Sequence, residues 1–293
     1  MKITAVWCIF GDKHACMAAF SAKSFFESGG ENALIVVSTE YERNIVEHIE
    51  SRAKVFVLPV DISDYPKIAY KTFCLAKFFD QISFNDLDYL IICDSDVIWT
   101  SFDQDKFKAL TFDLWFQRAT YYNSRLLQSK IPYVRRRDII VRTLRSARKY
   151  IECANPLDVT LNAGLYGGKY TVLKVLIKEF SALLFKMRPR EVKLSEALLS
   201  FVVPNLGLTV CSDTVDLNIK YRVRNKVFRK RTWSPEFQTA LDQLRSRDSN
   251  LSRIYFMNTN YASGRAMATH YFGGMNKEFE KKVLEIYDLS LRK

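Results

Sequence analysis

The chain has 293 residues, 48% of them hydrophobic and 14% aromatic, with a formal net charge of +12 and a pI near 9.3. That is enough apolar material for one large core, and no run of it is long enough for a membrane span. The opening apolar run, Ile3 to Phe10, breaks at Gly11 and Asp12, so no secretory leader is expected, and there is no internal repeat or low-complexity linker.

The charge is localised. Arg118 to Lys149 holds ten Lys or Arg and one Asp, and Lys220 to Arg231 holds seven and no acid, so these stretches carry +16 and the remainder is about −4. A near-neutral domain wearing two basic patches is expected to meet something anionic there, such as lipid headgroups. No recognised nucleic-acid motif accompanies the patches. Six cysteines without CxxC spacing read as reduced core thiols of a cytoplasmic protein.

In chain order, Ile3 to Phe10 predicts a strand and Lys13 to Ser28 a helix stopped by Gly29 and Gly30. Ala33 to Ser38 predicts a second strand, Glu42 to Arg52 an amphipathic helix and Lys54 to Val60 a third strand. Strands alternating with helices imply right-handed crossovers and a mostly parallel sheet. Pro66 opens a helix carrying Lys71 and Lys77, and Tyr89 to Cys93 is the fourth strand, its unbroken apolar run marking burial on both faces. Thr111 to Arg118 predicts another strand. Arg142, Arg145 and Arg148 follow at helical spacing, the glycine-rich Leu161 to Lys169 suggests a sharp turn or backbone that approaches a ligand closely, and Thr171 to Met187 a helix. Glu191 to Val203 is expected to be a helix broken by Pro204. Strands at Gly207 to Cys211 and Arg253 to Asn258 precede a closing helix, Glu278 to Leu291.

The chemistry gathers at the end of the fourth strand, where Asp94, Ser95 and Asp96 follow Cys93 directly. Two carboxylates one residue apart at the mouth of a buried strand need a cation or strong donors, and that end of an open α/β sheet is where ligands sit. Of the three histidines, His14 and His48 fall in predicted helices as surface or packing residues. His270 instead follows a strand pattern and precedes Gly273 and Gly274. Imidazole and two carboxylates make a set for Mn²⁺ or Mg²⁺.

With these residues in order the sequence resembles the GT-A fold nucleotide-sugar glycosyltransferases, most closely the retaining family-eight type. The resemblance rests on the helix bearing Lys71, on Asp94-Ser95-Asp96, on Asn162-Ala163-Gly164 and on His270-Tyr-Phe-Gly-Gly, with Asp216-Leu217-Asn218 a further match. It implies a single Rossmann-like α/β domain over residues 1–293, with helices flanking a mostly parallel central sheet and basic helical insertions. Residues 1–117 would form the nucleotide-binding half and 118–293 the acceptor side. It further implies a UDP-sugar donor, a saccharide or lipid-linked saccharide acceptor, transfer with retention, and Mn²⁺ or Mg²⁺ held by Asp94, Asp96 and His270. Lys71, Asp94, Ser95, Asp96, Gly164, Gly273 and Lys277 would hold the donor, with Asn162 and Glu196 beside the reacting sugar.

Two departures stand out. Lys277 lies one residue further from His270 than the family pattern asks, and Glu196 alone stands where the family has an Asp or a Gln-Asp pair. The charge placement suggests a peripheral site at the inner membrane face. Two other readings use the same residues: a haloacid-dehalogenase-like phosphatase with Asp94 as nucleophile, and a non-catalytic basic binding module.

Overall fold

The computed structural model describes residues 1–59, 69–99, 101–122, 142–152, 157, 159–192, 195–211, 219–222 and 268–271. In chain order they form β1 (Ile3–Cys8), α1 (Asp12–Glu27), β2 (Ala33–Val37), α2 (Glu40–Ile49), β3 (Lys54–Val57), α3 (Tyr70–Gln81), β4 (Tyr89–Cys93), β5 (Val97–Trp99) and α4 (Gln104–Lys108). Then come β6 (Leu114–Tyr122), β7 (Val159–Lys169), α5 (Tyr170–Lys186), a 3-10 turn (Pro189–Glu191), α6 (Ser195–Asn205), β8 (Val210–Cys211), β9 (Ile219–Arg222) and β10 (Ala268–Tyr271). The chain divides into two compact units. An N-terminal unit takes Ile3–Pro59, Ile92–Leu110 and Thr214–Lys293, and a central unit takes Met1–Lys2, Val60–Ile91 and Thr111–Asp213.

In the N-terminal unit β1, β2 and β3 run parallel in the order β3-β2-β1, with Ala5 opposite Ala33 and Leu34 opposite Lys54. Every residue of β1 and β2 is buried, which is why both read as unbroken apolar runs. Helix α1 buries a small-residue face, Ala15, Ala18, Ala19 and Ala22, together with Met17 and Phe25. Phe25 meets Trp7, Trp99 and Phe102 edge to face, with ring centroids 6.2, 5.2 and 4.8 Å away, the arrangement aromatic quadrupoles favour. Helix α2 begins two residues ahead of the predicted start because Thr39 caps it. The Thr39 hydroxyl accepts from the Glu42 N–H at 3.1 Å while the Glu42 carboxylate accepts from the Thr39 N–H, a reciprocal box.

In the central unit the order is β4-β7-β6-β8, with β6 antiparallel to β7 and parallel to β8. The glycine-rich stretch 161–169 is not a turn: it is the greater part of the eleven-residue β7. Its glycines serve close approach, as a Cβ on Gly167 would stand 2.8 Å from the Leu90 carbonyl oxygen and 2.8 Å from Trp115 Nε1. Pro204 does not break α6 but lies inside it. Having no N–H, it leaves the Ser200 carbonyl without its usual helical donor, and that oxygen accepts from the Leu157 N–H at 2.9 Å instead.

At the start of β6 the Asp113 carboxylate accepts from the Thr209 hydroxyl at 2.6 Å and from its N–H at 2.8 Å. These bonds, the hydroxyl first, hold Asp113 below the usual carboxylate range. Cys8, Cys16, Cys74 and Cys93 are buried thiols, as expected of the core. Among the described residues no helix is long and apolar enough to cross a membrane. Most of both basic stretches, the predicted strand 253–258 and the closing helix lie outside the described residues.

Candidate active site

The apolar run of β4 ends at Cys93, and Asp94, Ser95 and Asp96 turn the chain into β5, a strand not predicted because three residues carry no period. Ser95 and Asp96 are buried, 8% and 7% exposed, and Asp94 is half-buried. The turn inherits its position from α1. Ser21 Oγ donates to the Val97 carbonyl, and the Trp99 N–H donates to Ser24 Oγ at 3.0 Å. Ser21 is itself fixed by the Trp7 indole N–H at 3.0 Å, so β1, α1 and β5 are pinned together by hydroxyls that satisfy buried backbone groups.

β5 pairs antiparallel with β10: Ala268 faces Trp99, Thr269 faces Ile98 and His270 faces Val97. β10 in turn runs parallel to β9. Residues 174 positions apart in sequence, His270 and Asp96, thereby come one register step apart within the N-terminal unit. Among the described residues no three ligating side chains form a cluster. The described part of the predicted metal set is the Asp94–Asp96 pair, whose hard oxygens suit Mn²⁺ or Mg²⁺, and the β10 register supplies a histidine at the adjoining backbone position.

Two residues of the N-terminal unit, one touching this turn and one tying the loops after β1 and β2, were not predicted as site residues. His14, exposed on the first turn of α1, has its Nδ1 3.1 Å from Ser95 Oγ, a contact across 81 residues of sequence that no local pattern announces. Glu42, only 4% exposed, binds the loops after β1 and β2 at once. Its Oε1 accepts from the Gly11 N–H, and its Oε2 accepts from the Ser38 N–H at 2.7 Å, the Ser38 hydroxyl at 2.8 Å and the Thr39 N–H at 3.2 Å. Gly11 has φ +88°, a backbone angle that side chains disfavour, and it lets the chain turn from β1 into α1. The capping-box spacing from Thr39 was the sequence signal for Glu42.

The central unit gathers the other predicted residues. Lys71 Nζ donates to the carbonyl of Ala163, between Asn162 and Gly164, at 2.8 Å and lies 5.6 Å from the centre of the Tyr166 ring. Tyr166 stacks on Phe116 with centroids 4.8 Å apart. Asn162 and buried Gly164 lie on β7, and Glu196 is on the first turn of α6. Gly273 and Lys277 lie outside the described residues, as does the Asp216-Leu217-Asn218 match.

No protein-family model and no curated protein matches the chain. Solved structures do. The galactosyltransferase LgtC, in complex with donor and acceptor sugar analogues, superposes with a TM-score of 0.57 at 12% identity, covering 96% of this chain and 95% of that one. An active-site mutant of LgtC gives 0.56 at 12%, with the same coverage. The chain has the GT-A fold. That GT-A architecture is shared with the apo form of WbbM, a bifunctional glycosyltransferase, at TM-score 0.57 and 12% identity over 99% of this chain and 52% of that one.

Proposed function

We propose that this GT-A protein is a metal-dependent glycosyltransferase that moves a sugar from a nucleoside diphosphate sugar, a UDP-sugar, to a saccharide or lipid-linked saccharide, with retention. The observation that carries this reading is the pairing of His270 with Val97, which brings its backbone beside the acidic turn at the end of a buried strand. Structures with this fold include a galactosyltransferase bound to donor and acceptor sugar analogues and a bifunctional glycosyltransferase.

In this reading residues 1–117 serve the nucleotide and 118–293 the acceptor. The bond from the anomeric carbon to the diphosphate oxygen breaks and one to an acceptor hydroxyl forms, leaving a nucleoside diphosphate that has gained negative charge. Asp94, Asp96 and His270 would hold Mn²⁺ or Mg²⁺, which when bound neutralises that charge without a proton transfer. Lys71, Gly273 and Lys277 would bind the donor with Ser95, while Asn162, Gly164 and Glu196 would face the sugars. The protein would act at the cytoplasmic face of a membrane.

Thermal shifts with UDP-, GDP- and CDP-sugars, with and without Mn²⁺, test the reading, because ligand binding free energy adds to stability. A metal-dependent rise for one nucleotide is expected, and Asp96→Asn removes its metal dependence. An equal rise in the mutant, or none with any sugar nucleotide, would overturn the assignment.

A further inference from the structure

Helix α5 turns a wholly apolar face inward, burying Leu173, Leu176, Ile177, Phe180, Leu183 and Leu184. Its outer face is unusual. Val175 is 48% and Phe185 68% exposed, and Lys174, Lys178 and Lys186 lie along the same stripe at helical spacing. Exposed Arg188 and Arg190 continue from its end.

A second cationic element is fastened to that end. Residues 142–147 are helical, with Thr143, Leu144 and Ala147 buried. Arg142 and Arg145 on the helix and Arg148 just past it are all exposed. Leu144 packs on Ala197 and Phe201. Just past the helix the Tyr150 hydroxyl donates to Glu191 Oε2 at 2.8 Å, and Lys149 Nζ lies 3.5 Å from Glu191 Oε1. The Arg188 N–H donates to the same carboxylate at 3.1 Å, and these bonds, Tyr150's first, hold Glu191 below the usual carboxylate range. Its charge is thus turned to fastening the two elements. Residues 142–152 and 170–191 together carry nine basic and three acidic side chains, Glu191 among the three.

We infer that the outer face of α5, together with the arginine helix tied to the 3-10 turn past its end, is a docking surface for a bilayer of anionic lipid. Cations along one face bind anionic headgroups, and an exposed ring among lysines has the chemistry of a side chain that enters the headgroup and acyl boundary. The inference deepens the membrane part of the functional reading by naming the surface, and it depends on no donor or metal.

Flotation of the full chain with vesicles of phosphatidylcholine alone, or mixed with phosphatidylglycerol, tests it. Binding to the anionic vesicles alone, weakening as salt rises, is expected. Each cation at such a surface strengthens binding about fivefold, so R142Q/R145Q/R148Q together should weaken it on the order of 100-fold. Phe185→Ser, at a side chain 68% exposed and with a thermal melt to check that the fold is kept, should weaken binding several-fold even where salt has screened the charges.

Equal flotation with both vesicle types, or an unchanged F185S, would overturn the inference, as would an arbitrary RNA that displaces the protein from vesicles. The nucleotide-sugar thermal shift separates this from the functional reading. Lost flotation with the shift intact sinks only the docking surface, and flotation without any nucleotide shift sinks only the transferase.

Discussion

Glu42→Gln is the most informative single change in the N-terminal unit. The carboxylate accepts four hydrogen bonds through two oxygens, one from Gly11 after β1 and three from Ser38 and Thr39 after β2. Glutamine offers one acceptor oxygen. If it keeps the Ser38 and Thr39 side, its NH₂ confronts the Gly11 N–H and leaves a donor unsatisfied, which costs about 1–3 kcal/mol. The three retained bonds lose their charge assistance, a smaller loss partly offset because a neutral amide is less costly to bury.

The sum is about 2–3 kcal/mol, a large share of the roughly 5–15 kcal/mol that holds a domain folded. At about 2–4 °C per kcal/mol, Tm should fall by about 4–12 °C. Glu40→Gln, on the same helix with its side chain 69% exposed, is the control and should stay within about 0.5 kcal/mol. Thermal melts give the magnitude, and hydrogen exchange locates it, since the Gly11, Ser38 and Thr39 amides should lose protection together. If Glu42→Gln melts with its control, or exchange at Gly11 is unchanged, the carboxylate does not tie the two loops.

Gly167→Ala should cost about 1–3 kcal/mol, because its Cβ would press on the Leu90 backbone oxygen, which cannot swing aside; a melt within 1 °C of the parent, on the order of 0.3 kcal/mol, would contradict this. Thr209→Val should lower stability by about 0.5–1 kcal/mol at pH 7, discounted for the exposure of the pair. Since Asp113 is held below its ordinary value, its contribution is present above about pH 4 and lost as pH falls through its folded value. Urea titrations at pH 7 and pH 3 should therefore show the difference between variant and parent shrinking. His14→Ala should leave the melt nearly unchanged, as the ring is exposed, while reducing the metal-dependent nucleotide shift by freeing Ser95.

What was legible in the sequence was whatever a buried face imposes on a run of residues. β1, β2 and β4 are unbroken apolar stretches because both their faces are covered, and the carboxylates of Asp94 and Asp96 stand out at the end of one of them. His48 is exposed in α2, as a histidine on a charged helix should be. Features made by contacts between distant segments were not legible. β5 is too short to show alternation, and His14 meets Ser95 only because α1 and the acidic turn are pinned by the same hydroxyls. The glycines of β7 imitate a turn because close strand packing and tight turning both call for a missing side chain. Pro204 misleads for a similar reason, since a tertiary donor from Leu157 takes up the carbonyl that a proline would otherwise orphan.

A strand of three residues tethered by Ser21 and Ser24 offers an unusual handle. Removing either hydroxyl frees one end of β5, and the acidic turn, being covalently continuous with it, is freed as well. The carboxylates can therefore be re-aimed from α1 without altering a single charged group, as a rudder is moved by its tiller.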